Sequence, residues 1–290
     1  MKDIFTKSWI IDNSIKICKK YNKGILTLRG LHYQLVGIGM TNDIQHYKRV
    51  VVAMIDARWN RVIDFDQFSD LDRAMVGETM FKETILDDEI DEAKKQIKAW
   101  MHSYNKNRWE NQPYYPEIFI EKKALQGVFS DICKDWNIGL GACKGYPSLT
   151  FLNEAANRFH LSGIHYGKKA IILYFGDYDP SGEDIPRSIE ENMVKFGVDV
   201  EVRRIALMQD QVLEWNLPPA PTKLTDSRTA NWDGIGQVEL DAVKPEKLIQ
   251  LCEDAIIDIF DKELHLELLD KEKDERFIYR KELKEYVRNI

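Results

Sequence analysis

The feature that most constrains the fold of this chain is an alternation of apolar strands and amphipathic helices in its second half. The pattern predicts strands at residues 117–120, 138–142, 170–175 and 200–206. It predicts helices between them at residues 122–136, 148–158 and 184–196. The run AIILYF at 170–175 is apolar throughout, which is typical of a strand covered on both faces in a parallel sheet. Strand–helix units of this length predict an α/β fold with an open, mostly parallel sheet.

The N-terminal part of the chain is predicted to be helical and is basic. Helices are expected at residues 8–22, after an N-cap at Thr27, and at residues 42–60, followed by an extended piece at 62–65. Residues 1–61 contain 11 Lys or Arg against 4 Asp or Glu, a balance of +7 in a chain whose total is −7. Short helices, an extended piece and basic charge are compatible with a winged-helix-like DNA-binding module. The charge alone fits a solvated basic face equally well.

A segment at 105–116, rich in Asn, Pro and Tyr, follows a predicted amphipathic helix at 87–104 and is the expected domain boundary. We therefore predict a helical N-terminal domain over 1–110 and an α/β domain with a helical C-terminal extension over 111–290. No apolar run approaches the roughly 20 residues of a membrane span, and the N-terminus lacks a signal-peptide pattern. A cytoplasmic protein without a membrane partner is expected, with its four cysteines reduced and mostly buried.

Carboxylate residues follow two of the predicted strands. Glu121 comes directly after the strand at 117–120, while Asp177 and Asp179 follow the strand at 170–175. Ligands bind at the carboxyl ends of strands in such sheets, and alternate residues of an extended chain point to the same side. The three carboxylates are therefore expected to share one corner and to bind a hard cation, Mg²⁺, that can also hold phosphate oxygens. Taken singly, an acidic turn and a glutamate at a helix start also have purely structural explanations.

Three motifs carry a resemblance to a known family: IEKKA at 120–124, CKGYPS at 143–148 and GDYDPSG at 176–182. They resemble the Toprim domain, and in detail the A subunit of topoisomerase VI, the meiotic double-strand-break transesterase and their smaller bacterial and mobile-element relatives. The resemblance covers most of residues 115–207. It implies a Rossmann-like Toprim fold in which Glu121 is catalytic and Glu121, Asp177 and Asp179 hold Mg²⁺.

A later segment, VELDAVKPEKL at 238–248, also looks like the smaller bacterial members of this family. Its residues Glu239 and Asp241 alternate in the same way as Asp177 and Asp179. Two interpretations remain open for them: they belong to the site, or they cap and brace the C-terminal helices.

The family also suggests a nucleophile. Its winged-helix domain carries a tyrosine that attacks DNA, in a motif of Arg, an acidic residue, an aliphatic residue, an aromatic residue and Tyr. Here the corresponding residues are Arg29, Gly30, Leu31, His32 and Tyr33. Arg29, Leu31 and Tyr33 match, whereas Gly30 and His32 depart from the pattern. The resemblance implies attack by Tyr33 on a phosphate held by Arg29.

The expected function is Mg²⁺-dependent cleavage of double-stranded DNA through a tyrosyl–DNA intermediate. A hydrolytic Toprim nuclease that does not use Tyr33 is an open alternative, as is a non-catalytic DNA-binding or assembly subunit; action on RNA or nucleotide ends ranks last. The family implies a homodimer, in which the tyrosine of one subunit meets the metal of the other, and an ATPase partner for strand passage. Candidate DNA contacts are Lys48, Arg49, Arg58 and Lys144.

Overall fold

The computed structural model of the protein describes residues 4–68, 83–219 and 236–288. The chain forms two compact units, one of Met1–Asp72 with Tyr114–Ile259 and the other of Arg73–Pro113 with Phe260–Ile290. The N-terminal helices and the sheet thus fall in one unit, whereas the sequence predicts a division at residue 110. The predicted boundary segment at 105–116 contains the point, after Pro113, at which the chain enters the sheet.

In chain order the described α-helices are α1 Lys7–Cys18, α2 Leu28–Val36, α3 Ile44–Trp59, α4 Leu86–Trp100, α5 Gln126–Trp136, α6 Leu149–Ser162, α7 Pro180–Lys195, α8 Gln209–Glu214, α9 Pro245–Asp258 and α10 Lys262–Arg288. The described strands are β1 Tyr114–Ile120, β2 Gly139–Ala142, β3 Lys169–Phe175 and β4 Val200–Ala206. These bounds confirm the predicted alternation of strands and helices after residue 113.

The strands of the described residues form one parallel sheet of order β2-β1-β3-β4. The predicted α/β class with a parallel sheet is confirmed. β1 begins three residues earlier than predicted, because Tyr114 pairs with Lys169 and the register continues from there to Ile120 and Phe175. β3 is buried from Ala170 to its end, as its uninterrupted apolar sequence predicts.

Helices cover both faces of this sheet. Even-numbered residues of β3, such as Ile172, pack with α6 and α7 in a core that includes Phe159 and Ile189. Odd-numbered residues of β3 point to the opposite face of the sheet. On that face the ring of Phe175 lies 4.8 Å from the ring of Phe129 in α5. All four cysteines are buried and free, as expected.

The N-terminal helices enclose a core of their own, formed by residues such as Leu31, Leu35 and Met54. Thr27 is the N-cap of α2, as predicted, because its hydroxyl oxygen accepts a hydrogen bond from the Gly30 amide at 2.8 Å.

The prediction of an extended piece at residues 62–65 is wrong. After α3 the Val62 amide turns back to the Ala57 carbonyl, and a 3₁₀ helix follows at Phe65–Gln67. Among residues 60–68, Phe68 alone forms a bridge, to Leu26, and residues 69–82 lie outside the description. The strand on which the winged-helix prediction depended is therefore absent from the described part of this region.

The second unit contains α4, α10 and the segment that leads into β1. The side chain of Gln112 exchanges two hydrogen bonds with the backbone of Asp261, at 2.9 and 2.7 Å, and the Trp109 ring lies 5.3 Å from Phe260. The helix predicted at 87–104 is confirmed as α4, which ends at Trp100. Among the described residues, no helix has the length and apolar character needed to cross a membrane.

Candidate functional site

The carboxylate corner lies where the strand order of the sheet reverses. The chain passes from β1 outward to β2 and then crosses to β3 on the other side of β1. Ligands of open parallel sheets bind outside the strand ends at such a reversal. Glu121 directly follows β1, and its amide donates to the Phe175 carbonyl at the end of β3, at 2.8 Å. Glu121 and Asp177 therefore occupy the position that their sequence context predicts.

Glu121 and Asp177 are in direct contact. The Asp177 amide donates to the Glu121 Oε2 atom at 2.8 Å, and the Tyr174 hydroxyl lies 3.4 Å from the same oxygen. Gly176 permits this approach, because a Cβ atom there would lie 2.8 Å from that oxygen. Both carboxylates are almost fully buried, and burial raises the pKa of each of them. This corner therefore disfavours uncompensated negative charge and attracts a cation.

Asp179 has a structural task in the same corner. It is the N-cap of α7, and its Oδ1 atom accepts a hydrogen bond from the Gly182 amide at 2.6 Å. Its charge adds to burial in raising the pKa of Glu121, so the two carboxylates are electrostatic neighbours. Arg204 donates to the Asp177 carbonyl at 2.7 Å and also to the carbonyl of Gly182, which fixes the turn that carries both aspartates.

Lys122 is a site residue that sequence reasoning missed. Its ammonium lies 2.9 Å from Asp177 Oδ2, 3.2 Å from Asp241 Oδ2 and 3.5 Å from Glu239 Oε2. The other Asp177 oxygen accepts a hydrogen bond from the Leu240 amide at 2.8 Å. Burial lowers the pKa of Lys122, but the three carboxylates outweigh it and raise that pKa overall. The ammonium is thus the counter-charge that these acids share.

The carboxylates of this corner are the candidate ligands of a Mg²⁺ ion. Carboxylate oxygens are the donors that Mg²⁺ prefers. However, no group of three or more His, Cys, Asp and Glu side chains in the described ranges is arranged to hold a metal ion. Both oxygens of Asp177 have partners, in Lys122 and the Leu240 amide, and one oxygen of Asp179 caps a helix. The donors suit Mg²⁺ in kind, whereas their geometry in this conformation does not.

Glu239 and Asp241 connect α2 to this corner. Arg29 donates to both oxygens of Glu239, from Nε at 2.8 Å and from the guanidinium terminus at 2.5 Å. The Thr27 hydroxyl donates to Asp241 Oδ1 at 2.7 Å. Of the two interpretations left open by the sequence, the structure therefore supports membership of the site. The sequence feature that indicated this membership is the two-residue spacing of Glu239 and Asp241, which Asp177 and Asp179 share.

The structure places Tyr33 beside this network but inside the protein. The residue is 3% exposed, and its hydroxyl has no hydrogen-bond partner among the described residues. The Arg29 guanidinium lies 5.7 Å from the ring. Burial, followed by the charge of Glu239, raises the pKa of the phenol. His32 is buried too, and burial lowers its pKa, which favours the neutral imidazole. Arg29 and Tyr33 thus adjoin the carboxylates, with the phenol shielded from solvent.

Three of the predicted DNA contacts lie on α3. Lys48 is exposed, whereas Arg49 donates to the carbonyl of Phe5 and Arg58 lies 5.5 Å from the centre of the Phe68 ring. Arg49 and Arg58 therefore take part in packing within the N-terminal region.

The fourth predicted contact, Lys144, lies beside the carboxylate corner. It is exposed in the loop after β2, with a left-handed φ of 57°. The next residue, Gly145, donates its amide to the Glu121 carbonyl at 3.2 Å. Lys144 is thus the predicted DNA contact whose backbone adjoins the carboxylates.

No protein-family model, curated protein or solved structure matches this chain. The likeness to the topoisomerase VI A subunit therefore rests on the motifs of the chain itself.

Proposed function

We propose that this protein cleaves double-stranded DNA with Mg²⁺ and is a small relative of the topoisomerase VI A subunit, with a winged-helix-like region followed by a Toprim domain. The observation that carries the proposal is the meeting of Glu121 and Asp177 at the strand-order reversal, next to the helix that bears Arg29 and Tyr33. Buried carboxylates beside a guanidinium and a phenol are a combination suited to phosphodiester chemistry.

In this proposal Glu121, Asp177 and Asp179 would hold Mg²⁺ in a conformation other than the one described above, in which the oxygens of Asp177 already have partners. The bound ion would supply positive charge to the phosphate under attack. Because the Lys122 ammonium already contacts Asp177 at 2.9 Å, a metal ion must compete with it for that oxygen. Exposed cations, Lys144 beside the corner and Lys48 on α3, are proposed to contact the DNA backbone.

Tyr33 is the proposed nucleophile. The phenol would lose its proton to solvent as its oxygen forms a bond to phosphorus and the bond from phosphorus to one sugar oxygen breaks, and the released sugar oxygen would take up a proton from solvent. Arg29 would position the phosphate through paired N–H groups. The buried phenol must become exposed before this step. A homodimer, in which Tyr33 meets the site of the other subunit, and an ATPase partner for strand passage belong to the same proposal.

Two other functions are each favoured by one observation. Burial of Tyr33 and its raised pKa favour hydrolysis, in which water attacks and the phenol takes no part. Occupation of the acidic corner by Lys122 favours a non-catalytic DNA-binding or assembly subunit. The three functions differ in the products that they predict from a plasmid.

The test is to incubate purified protein with supercoiled plasmid and Mg²⁺ and to divide each sample, with and without protease, before electrophoresis. Wild type is compared with Tyr33→Phe and Asp177→Asn. The matched controls are Tyr166→Phe and Asp135→Asn, which make the same changes at exposed positions. We expect cut DNA that enters the gel only after proteolysis, and no cutting by either site variant.

The alternatives give different gels. Cut DNA without protease, with Tyr33→Phe active and Asp177→Asn inactive, would establish a hydrolytic nuclease. Binding without cutting by any sample, with Mg²⁺ or Mn²⁺, would reject the catalytic proposal and leave the DNA-binding subunit.

A further inference from the structure

The guanidinium proposed to hold a DNA phosphate is already bound by an internal carboxylate. Arg29 donates to both oxygens of Glu239, at 2.8 and 2.5 Å, and the Lys122 ammonium lies 3.5 Å from Glu239 Oε2. We propose that Glu239 occupies a phosphodiester-binding subsite made by Arg29 and Lys122 and must leave it before nucleic acid enters. The proposal rests on the proposed function only in naming DNA as the source of the phosphodiester.

The geometry of the contact supports this assignment. A carboxylate and a phosphodiester each present two oxygens that share one negative charge, and both form paired hydrogen bonds with a guanidinium. Glu239 uses both oxygens for Arg29 and one of them also for Lys122. Glu239 is therefore held by two cations from separate segments of the chain, Arg29 and the Lys122 ammonium that it shares with Asp177 and Asp241.

The subsite is accessible from solvent. The side chains of Arg29, Glu239 and Lys122 are 27%, 21% and 27% exposed. An incoming phosphate can therefore reach the two cations, Arg29 and Lys122. The Tyr33 hydroxyl next to it is buried and has no hydrogen-bond partner in the described part of the chain. A buried hydroxyl without a hydrogen-bond partner is energetically costly. A phosphodiester that replaced the Glu239 carboxylate and bonded to the Tyr33 hydroxyl would remove this cost.

Glu239 can leave without detaching α2 from the sheet edge. The hydrogen bond from the Thr27 hydroxyl to Asp241, at 2.7 Å, joins the same two segments independently of Arg29. Lys122 also retains Asp177 at 2.9 Å and Asp241 at 3.2 Å. These contacts offset part of the negative charge of the neighbouring acids and so reduce their repulsion of an incoming phosphate. Asp241 is thus the anchor of α2, and Glu239 is the exchangeable group.

The experiment uses Glu239→Gln, which keeps the shape of the side chain and removes its charge. Binding of a short fluorescein-labelled duplex is followed by anisotropy in EDTA at several KCl concentrations. The control is Glu214→Gln, which removes the same charge from an exposed position of α8. Melting temperatures of all proteins are also compared in inorganic phosphate and in chloride of equal ionic strength.

We expect Glu239→Gln to bind the duplex about tenfold more tightly than wild type, with a salt slope about one unit steeper, because one more phosphate is contacted. Glu214→Gln should change affinity less than about twofold. Inorganic phosphate should raise the melting temperature of Glu239→Gln more than that of wild type. Adding Arg29→Met should abolish both gains. Glu239→Asp, which keeps the charge but shortens the reach, should shift both readouts in the same direction.

If Glu239→Gln gains stability from phosphate while no protein binds DNA, the subsite is confirmed and the proposed DNA function fails. If neither Glu239→Gln nor Glu239→Asp gains affinity or phosphate stabilisation, the subsite is refuted and Glu239 is a structural brace for Arg29.

Discussion

Replacing Lys122 by methionine removes the cation that three carboxylates share. Asp177 and Asp241 lie 2.9 and 3.2 Å from its ammonium and are both buried, so the variant leaves two poorly solvated acids without their partner. Breaking a buried ion pair by removing one member costs roughly 3–5 kcal/mol. The Lys122 side chain is 27% exposed, and solvent screening reduces this figure. We therefore expect the free energy of unfolding at pH 8 to fall by about 2–4 kcal/mol.

The pH dependence of this loss gives the sharper test. Burial already raises the pKa of Asp177, and removal of Lys122 should raise it further. A carboxyl group whose folded pKa lies above its unfolded value destabilises the protein as pH rises toward the folded pKa, and this penalty disappears below the unfolded pKa. Because the folded pKa of Asp177 is already raised to about 7 in wild type, the two folded proteins bind different numbers of protons only above that pH. The difference between wild type and Lys122→Met should therefore grow as pH rises from about 7 to about 9 and be smallest below about pH 6.

Urea unfolding in EDTA, followed by circular dichroism at several pH values, measures this difference. Lys195→Met is the matched control, because it makes the same substitution at an exposed position of α7. Equal stability of Lys122→Met and wild type at pH 8, or a loss that does not change with pH, would refute the assignment of Lys122 as the shared counter-charge.

Two further predictions concern stability. Arg158 makes a bidentate pair with the buried Glu117 at 2.8 and 2.9 Å, so Arg158→Leu should cost about 2–3 kcal/mol after allowance for its exposure. Thermal unfolding should show most of this loss recovered when Glu117→Leu is added, and no recovery would contradict the pairing. Thr27→Ala removes a helix cap and the hydroxyl donor of Asp241, and should cost about 2 kcal/mol. Ser148→Ala removes only an exposed cap of α6 and should cost about 1 kcal/mol, so equal losses in urea unfolding would argue against the Thr27–Asp241 bond.

The α/β part of the fold could be predicted because its signals are local. The apolar run at 170–175 and the cap at Thr27 each depend on residues only a few positions apart. The extended piece at 62–65 failed for a tertiary reason. Val62 and Ile63 are apolar and β-branched, but their amides close the end of α3 on the Ala57 carbonyl instead of pairing with a strand.

The candidate site was predictable in part. Parallel strands bring their carboxyl ends to one edge, so the position of Glu121 near Asp177 follows from the order of strands and acids along the chain. The sequence did not predict that Lys122 supplies the positive charge of the site. Lys122 adjoins Glu121 in sequence, yet the acids that it binds lie more than fifty residues away, and no local pattern records such a contact.

The sequence by itself determined the parallel sheet, the edge at which the acids gather and the helix that carries Arg29 and Tyr33, because periodicity, capping and strand order are properties of neighbouring residues. Tertiary structure alone decided that Lys122 contacts three of the acids, that Glu239 holds Arg29 and that the Tyr33 phenol is buried. These outcomes depend on which distant charges meet where water is scarce, and electrostatic free energy there depends on burial and distance in space rather than on spacing along the chain.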